Sequence, residues 1–311
     1  NIKTNAKNSS FDYLAMQFRL WKRMGMAVGF LPFSTVGYSL SNTSELTKDE
    51  DGTVINKTAS YAGDGGLQQV FAGVGFKVLD NLSIGANISY IYGDITHSVT
   101  TAFSNSSSFS SVRLDKISIN DYKLDFGLQY SYKFNKKHVL NFGAVYSLGH
   151  SVNGKGYKYN QKWLNGADYP STQTGDTITN AFSLPHTFGA GLTYVYDNRL
   201  TIGADFTYQQ WEDAKFYNEK SYFSNRTKIA AGAEFVPNPY SRNYLKRVRY
   251  RVGGYYSDPY TKVDGQDGTR EYGVSAGFGF PLFQSKSILN ISGQYLSLIH
   301  ISEPTRHLRI S

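Results

Sequence analysis

YKLDFGLQYSYKF, residues Tyr122 to Phe134, alternates without a break. Tyr122, Leu124, Phe126, Leu128, Tyr130, Tyr132 and Phe134 share one parity, and Lys123, Asp125, Gly127, Gln129, Ser131 and Lys133 the other. Successive side chains of a β-strand point to opposite faces, so this segment is a strand with one apolar face and one polar or glycine face. Leu82 to Tyr92 repeats the scheme, with Leu82, Ile84, Ala86, Ile88, Tyr90 and Tyr92 set against Ser83, Gly85, Asn87, Ser89 and Ile91. In Leu200 to Tyr208, Asp205 and Thr207 oppose Ile202, Ala204, Phe206 and Tyr208. Alternation alone suits either a soluble sandwich, whose apolar face is its core, or a membrane barrel, whose apolar face meets lipid.

Connection lengths separate the two. Tight turns fall at Lys22-Arg23, Asp80-Asn81, Asn135-Lys136-Lys137, Asp197-Asn198 and Gln284-Ser285, with a longer one at Pro237 to Leu245. Between them lie long polar stretches, predicted as external loops, at 42–64, 98–114, 151–180, 212–224 and 258–269. Short and long connections alternate strictly, as in outer-membrane barrels. The reading is all-β: a transmembrane antiparallel up-and-down β-barrel. Twelve strands are predicted, near 11–21, 24–41, 65–79, 82–97, 115–134, 138–150, 181–196, 199–211, 225–236, 247–257, 270–282 and 286–296. Many exceed the roughly 9–11 residues a tilted strand needs to cross a bilayer, so the barrel should rise beyond the outer leaflet. Trp21, Tyr132, Phe134, Tyr194, Tyr196, Tyr208 and Trp211 sit near strand ends, where interfacial girdles belong.

Composition agrees. Of 311 residues only 18% are charged, while Gly (30), Tyr (25) and Phe (20) abound. A mean hydropathy of -0.40 argues against membrane helices, and 15% aromatics argue against disorder. Cysteine is absent, which removes disulfide frameworks, zinc ribbons and thiol nucleophiles. The net charge of +8 is scattered. Its one dense cluster, Lys246, Arg247, Arg249 and Arg251, has no nucleic-acid recognition fold around it. Both ends look trimmed. Asn1 opens the chain without Met or signal peptide. Leu296 to Arg306, LSLIHISEPTR, resembles the translation of a sequencing-library adapter, so residues 1–295 are read as a partial barrel and 296–311 as a non-native tail.

Leu184-Pro185-His186 running through FGAGLTYVYDNRLTIGADFTYQQW to Trp211 resembles part of the FadL family of outer-membrane transporters for hydrophobic compounds. There a Leu-Pro opens a strand, a short Asp/Asn turn follows and the next strand ends on Trp. Gly66 to Gly93, and Tyr250 to Pro259 with Gly273 to Phe280, agree. The resemblance implies fourteen strands, an N-terminal hatch in the lumen and a kinked third strand that opens sideways to lipid. Strand 11–21 would then be the second and 24–41 the third, with hatch, first strand and last strand absent from this sequence. It also implies uptake of hydrophobic compounds such as long-chain fatty acids, in the outer membrane of a Gram-negative bacterium. The partners implied are the lipid bilayer and a hydrophobic ligand, with the barrel a monomer and no cofactor.

Candidate functional residues follow. Leu31, Pro32 and Phe33 lie mid-strand, where proline removes a ladder donor. They mark either a side gate or a bulge that only adjusts the barrel's shape. Arg249 and Arg251 share a face and fit either a ligand carboxylate or a luminal ion-pair network with residues such as Asp125 and Asp205. Lys123, Asp125 and Lys133 read as part of that network. Leu184, Pro185 and Trp211 carry the family motif. The six histidines, His97, His138, His150, His186, His300 and His307, show no metal-ligand spacing. A hydrolytic pairing of His150 with Ser147 or Ser151 lacks any nucleophile-elbow context. An enzyme is therefore not expected. Two alternatives to transport stay open: a barrel serving as a secretion or surface-assembly partner without an apolar luminal pocket, and a general aqueous porin.

Overall fold

The computed structural model describes residues 13–48, 52–105, 108–164, 172–179, 182–216, 222–263, 266–282 and 287–299. Twelve strands, each paired antiparallel with its neighbour in sequence order, form the wall. They are β1 (Leu14–Trp21), β2 (Met24–Lys48), β3 (Val54–Lys77), β4 (Leu82–Phe103), β5 (Phe109–Lys133) and β6 (His138–Ser147). The second half comprises β7 (Thr187–Tyr196), β8 (Leu200–Gln209), β9 (Arg226–Phe235), β10 (Arg249–Ser257), β11 (Arg270–Pro281) and β12 (Ile288–Ile299). Two further strands, Gly154–Leu164 and Thr172–Thr179, extend the same sheet beside β5. Among the described residues, no helix is long and apolar enough to cross a membrane, a test that does not bear on strands.

Register carries one apolar surface around the wall. Phe76 faces Ile84, Ala86 faces Phe126, and Tyr130 faces Phe142. Leu192 continues the surface opposite Phe142 and Ala204, and Val252 joins it opposite Ala233 and Ala276. No charged residue interrupts this face between the tight turns and the level of Tyr90 and Tyr122. Its large side chains are exposed: Ile88, Phe126, Leu192, Ile229 and Val274 all stand more than two-fifths open. Burying such a band in hydrocarbon, at about 25 cal/mol per Å², is the reason the sheet belongs in a bilayer. Trp21, Tyr132, Phe134 and Tyr196 rim it at the tight-turn end, where aromatic girdles form.

The opposite parity lines the inside with glycine and small polar groups. Ser147 Oγ donates to Asp125 Oδ1 at 2.5 Å, Lys123 pairs with the same carboxylate, and Ser131 donates to Asn141 at 2.7 Å. Tight turns close one end of the wall. At Asp197-Asn198 both residues hold positive φ (49° and 53°) and the Arg199 N–H bonds to the Tyr196 carbonyl, a two-residue hairpin turn suited to the strand twist.

Three stretches expected as external loops are strands instead. β2 runs to Lys48 and β3 starts at Val54, within 42–64. β4 reaches Phe103 and β5 starts at Phe109, within 98–114, and Gly154–Leu164 lies within 151–180. These extensions rise above the lipid and are wet on both faces, so hydrophobic alternation does not announce them. Cross-strand hydroxyl pairs, Ser41 with Ser60 and Thr43 with Thr58, both 3.1 Å apart, knit them. The wall is thus lopsided. β6 to β10 have only 9–10 residues and match the bilayer, while β2 to β5 have 22–25 and tower on one side. β12 continues through Leu296 to Ile299, and the rest of the tail, with His300 and His307, lies outside the described residues.

Candidate functional site

Pro32 sits at a break. Up to it β2 pairs in strict order with β3, Leu31 with Gln69 and Pro32 with Gln68. The next pair is Ser34 with Leu67, so Phe33 is an extra residue without a partner. The missing proline N–H and the extra residue make a bulge, and pairing resumes above it as far as Lys48. One inserted residue exchanges the two faces of β2, so Phe33 and the even-numbered positions beyond it turn inward as far as Ser44, and a second shift after Glu45 restores the phase. At the same height β3 carries Gly65 with φ 109° and β4 carries Gly93 with φ 142°. A side chain at Gly65 would collide with the Asp94 carbonyl, and one at Gly93 with that of Gly66. Only glycine allows both the backbone angle and the close approach. A glycine crease therefore crosses two strands beside the bulge.

Inside this crease the luminal wall changes character. Leu67, Ile91, Ile117 and Ile119 point inward, all nearly inaccessible (Ile91 2% exposed), with Phe33 and Ile95 against them. The long connection between β6 and β7 folds onto them, and Val152, Phe182 and Leu184 complete an apolar cluster. About 200 Å³ of space remains among these side chains, none of it wide enough for a water molecule.

Hydrogen bonds and a ring stack pin the connection. The Asn153 N–H donates to Asp121 Oδ2 at 2.6 Å, and the Tyr122 N–H to Asp121 Oδ1 at 2.7 Å. His150 stacks on Tyr122 with ring centres 4.7 Å apart, and its Nε2 lies 3.4 Å from Asp121. His150 and Ser151 pair with Leu184 and Ser183 in a short bridge. Here the ladder between β5 and β6 lapses: Asp125 pairs with Ser147, and pairing returns only at Ile119 with Gly154. His186 Nδ1 meets the Tyr146 hydroxyl at 2.8 Å and the Gly149 N–H at 3.2 Å, holding the other side of the lapse. Just above lipid level, on the outward face, Lys116 binds Asp94 at 2.8 Å. The hydrogen bonds from Lys116 and Ser118 hold the Asp94 carboxyl below its usual range.

The expected site residues separate into three places. Leu31, Pro32 and Phe33 lie at the bulge, with Phe33 against the apolar cluster. Leu184 belongs to that cluster, and Pro185 lies in the gap between the bridge and β7 rather than in a strand running from 181. Trp211 stands beyond the end of β8, in a one-turn 3-10 segment (Trp211–Asp213), instead of closing the strand. There it stacks with Tyr260 (5.0 Å) and packs against Phe223 (5.3 Å), tying together the connections after β8 and β10. Arg249 and Arg251 sit at the tight-turn end, far from the cluster along their strand, and both grip Glu234. Arg249 Nη1 reaches Oε1 at 3.0 Å, Arg251 Nε reaches Oε2 at 2.6 Å, and Arg251 also donates to Asn290. Glu234 takes the place expected for Asp125 and Asp205. Lys133 is exposed at the rim, outside the Lys123–Asp125 pair. Among the described residues, no three His, Cys, Asp or Glu side chains gather as a metal ion requires.

The apolar cluster was not foreseen, although its signal is present. Ile91, Ile117 and Ile119 lie on the parity that otherwise carries Asn87, Ser89, Lys123 and Asp125. Isoleucines on a wet face mark a place where something covers them.

The family model described as BamG matches residues 1–297. No curated protein matches the chain. Among solved structures, the toluene transporter TodX of Pseudomonas putida superposes with a TM-score of 0.58 at 16% identity, covering 91% of this chain and 76% of that one. The CymD monoaromatic hydrocarbon channel gives 0.57 at 12%, over 92% and 77%. A Pseudomonas aeruginosa FadL homologue gives 0.53 at 16%, over 91% and 68%. The wall is thus a FadL-type barrel in its fold.

Proposed function

This chain belongs to the BamG family, and from the wall it builds we propose that it passes small hydrophobic compounds through the outer membrane of a Gram-negative bacterium. The observation that carries the reading is the apolar luminal patch placed directly against the Phe33 bulge and the glycine crease. An apolar solute leaving water gains on the order of 25 cal/mol for each Å² it buries. A greasy patch inside a mainly polar lumen is a station for such a solute. A neighbouring fault in strand pairing gives it a sideways route that avoids the charged groups below, Lys123 with Asp125 and the arginines on Glu234. The solved structures of like fold, a monoaromatic hydrocarbon channel and a toluene transporter, support this class of cargo. Long-chain fatty acids are a further candidate cargo. Arg249 and Arg251, bridged by one shared carboxylate that offsets half of their charge, act in this scheme as a strut at the rim.

The test is Pro32→Thr, which restores a ladder donor and favours regular pairing. Uptake of an apolar compound by cells carrying the variant should fall several-fold while the amount of folded barrel is unchanged. Unaltered uptake would remove the sideways gate.

A second reading, a barrel that docks a partner in secretion or surface assembly, is favoured by one observation. The apolar patch is filled by the chain's own Val152, Phe182 and Leu184, with no room for a ligand unless they move. Retention of an apolar ligand by the purified protein supports transport. Its absence, together with a stable protein complex, supports docking.

A further inference from the structure

Charge is distributed unevenly along the barrel. At the tight-turn end the first turn carries Lys22 and Arg23, and the second has Lys77 beside Asp80. Lys133, Lys136 and Lys137 surround the third, and Arg199 sits with Asp197 at the fourth. The connection from β9 to β10 adds Arg242, Lys246 and Arg247. In these five turns, two acidic residues stand against ten basic ones. At the other end the signs alternate and pair, as in Lys116 with Asp94, Arg113 with Asp115 and Arg270 with Asp258.

The basic residues also stand next to aromatics that face lipid. Lys22 follows Trp21, and Lys133 and Lys136 flank the exposed Phe134. In the β9–β10 connection Tyr240 is 91% exposed and Leu245 65%, between and beside Arg242 and Lys246. The hydroxyl of Tyr250, a residue of the lipid-facing parity, donates to the Leu245 carbonyl and ties this connection to the outer side of the wall. Apolar side chains at the edge of the hydrocarbon, with ammonium and guanidinium groups one step farther out, match the layering of acyl chain and phosphate in a leaflet.

We propose that the tight-turn rim is a binding surface for anionic phospholipid headgroups, which collect around the barrel in the leaflet on that side. The arrangement around the perimeter favours lipid over a protein partner. The charges recur at five successive turns, from β1–β2 to β9–β10, whereas a docked protein covers one sector. Each basic group near an anionic surface is worth about a fivefold gain in local association at low salt.

The full chain is to be reconstituted in phosphatidylcholine bilayers containing spin-labelled phosphatidylglycerol or spin-labelled phosphatidylcholine. Electron paramagnetic resonance then gives the share of each probe held in the immobilised shell. Preference for the anionic probe should be about fivefold at low salt and should collapse near 1 M salt, where the screening length is about 3 Å. Combining Lys133→Gln, Lys136→Gln and Lys137→Gln with Arg242→Gln and Lys246→Gln should abolish most of it. Heat-modifiable gel mobility checks that the variant remains folded. Equal retention of both probes by the unaltered chain overturns the proposal, as does a preference that survives in the folded variant. Binding of polyglutamate to the chain in phosphatidylcholine, without lipid preference, would assign the rim to an acidic protein and also overturn it.

Discussion

Leu184→Ala tests whether the segment between β6 and β7 is a movable stopper. Leu184 is 8% exposed and packs within the cluster that includes Leu67, Ile91 and Val152. Truncating a buried leucine costs roughly 2–5 kcal/mol, the larger values where the cavity cannot collapse. The site already contains space that no water enters, and rigid strands supply most of its lining, so collapse is limited. About 3 kcal/mol is a fair central figure. The loss falls on docking of the connection, because the wall beneath keeps its ladder bonds. Undocking should therefore become easier by on the order of a hundredfold. Two measurements follow: protease cleavage within 148–186 on intact cells, and influx of a neutral single-ring hydrocarbon. Both should rise together. If cleavage rises and influx does not, the cluster is an anchor for the connection and has no part in passage. If neither changes, Leu184 does not hold the connection against the wall.

Two other perturbations read different parts of the wall. Glu234→Gln leaves Arg249 and Arg251 without their shared counter-charge at the rim, so any ionic leak through the reconstituted barrel should shift toward anions, seen as a change of reversal potential in a salt gradient. For Asp94, whose carboxyl is held below its usual range chiefly by the Lys116 hydrogen bond, the linkage has one sign: its contribution is complete above the ordinary carboxylate range and disappears as pH falls through the depressed value. The pair is half exposed, so the effect should be well under 1 kcal/mol; thermal unfolding of Asp94→Asn should match the unaltered chain in acid and fall slightly below it near neutrality.

Much of the barrel was legible because lipid imposes a strict rule. Wherever one face must be greasy, parity reads out directly, and the twelve strand positions follow from it. The rule stops at the surface of the bilayer. Beyond Asp94 on β4 and before Lys116 on β5, serine, threonine and charged residues occupy both faces, and those extensions resemble loops in the sequence. The arginine strut was half visible. Arg251 lies opposite Glu234 in an antiparallel register centred on the Pro237 to Leu245 turn, but without counting that register Asp125 and Asp205 were equally plausible partners. The apolar cluster required more: Val152 and Leu184 belong to the connection between β6 and β7, and no local pattern says that a connection will fold inward.

The extra residue at Phe33 separates two design problems. Below it, girth and apolar phase are fixed by hydrocarbon, and a shift of one position would turn every side chain over. Above it, phase has been reset and neighbouring glycines absorb the misfit. The turret formed by β2 to β5 can thus lengthen, shorten or change its decoration over generations while the part embedded in lipid stays the same.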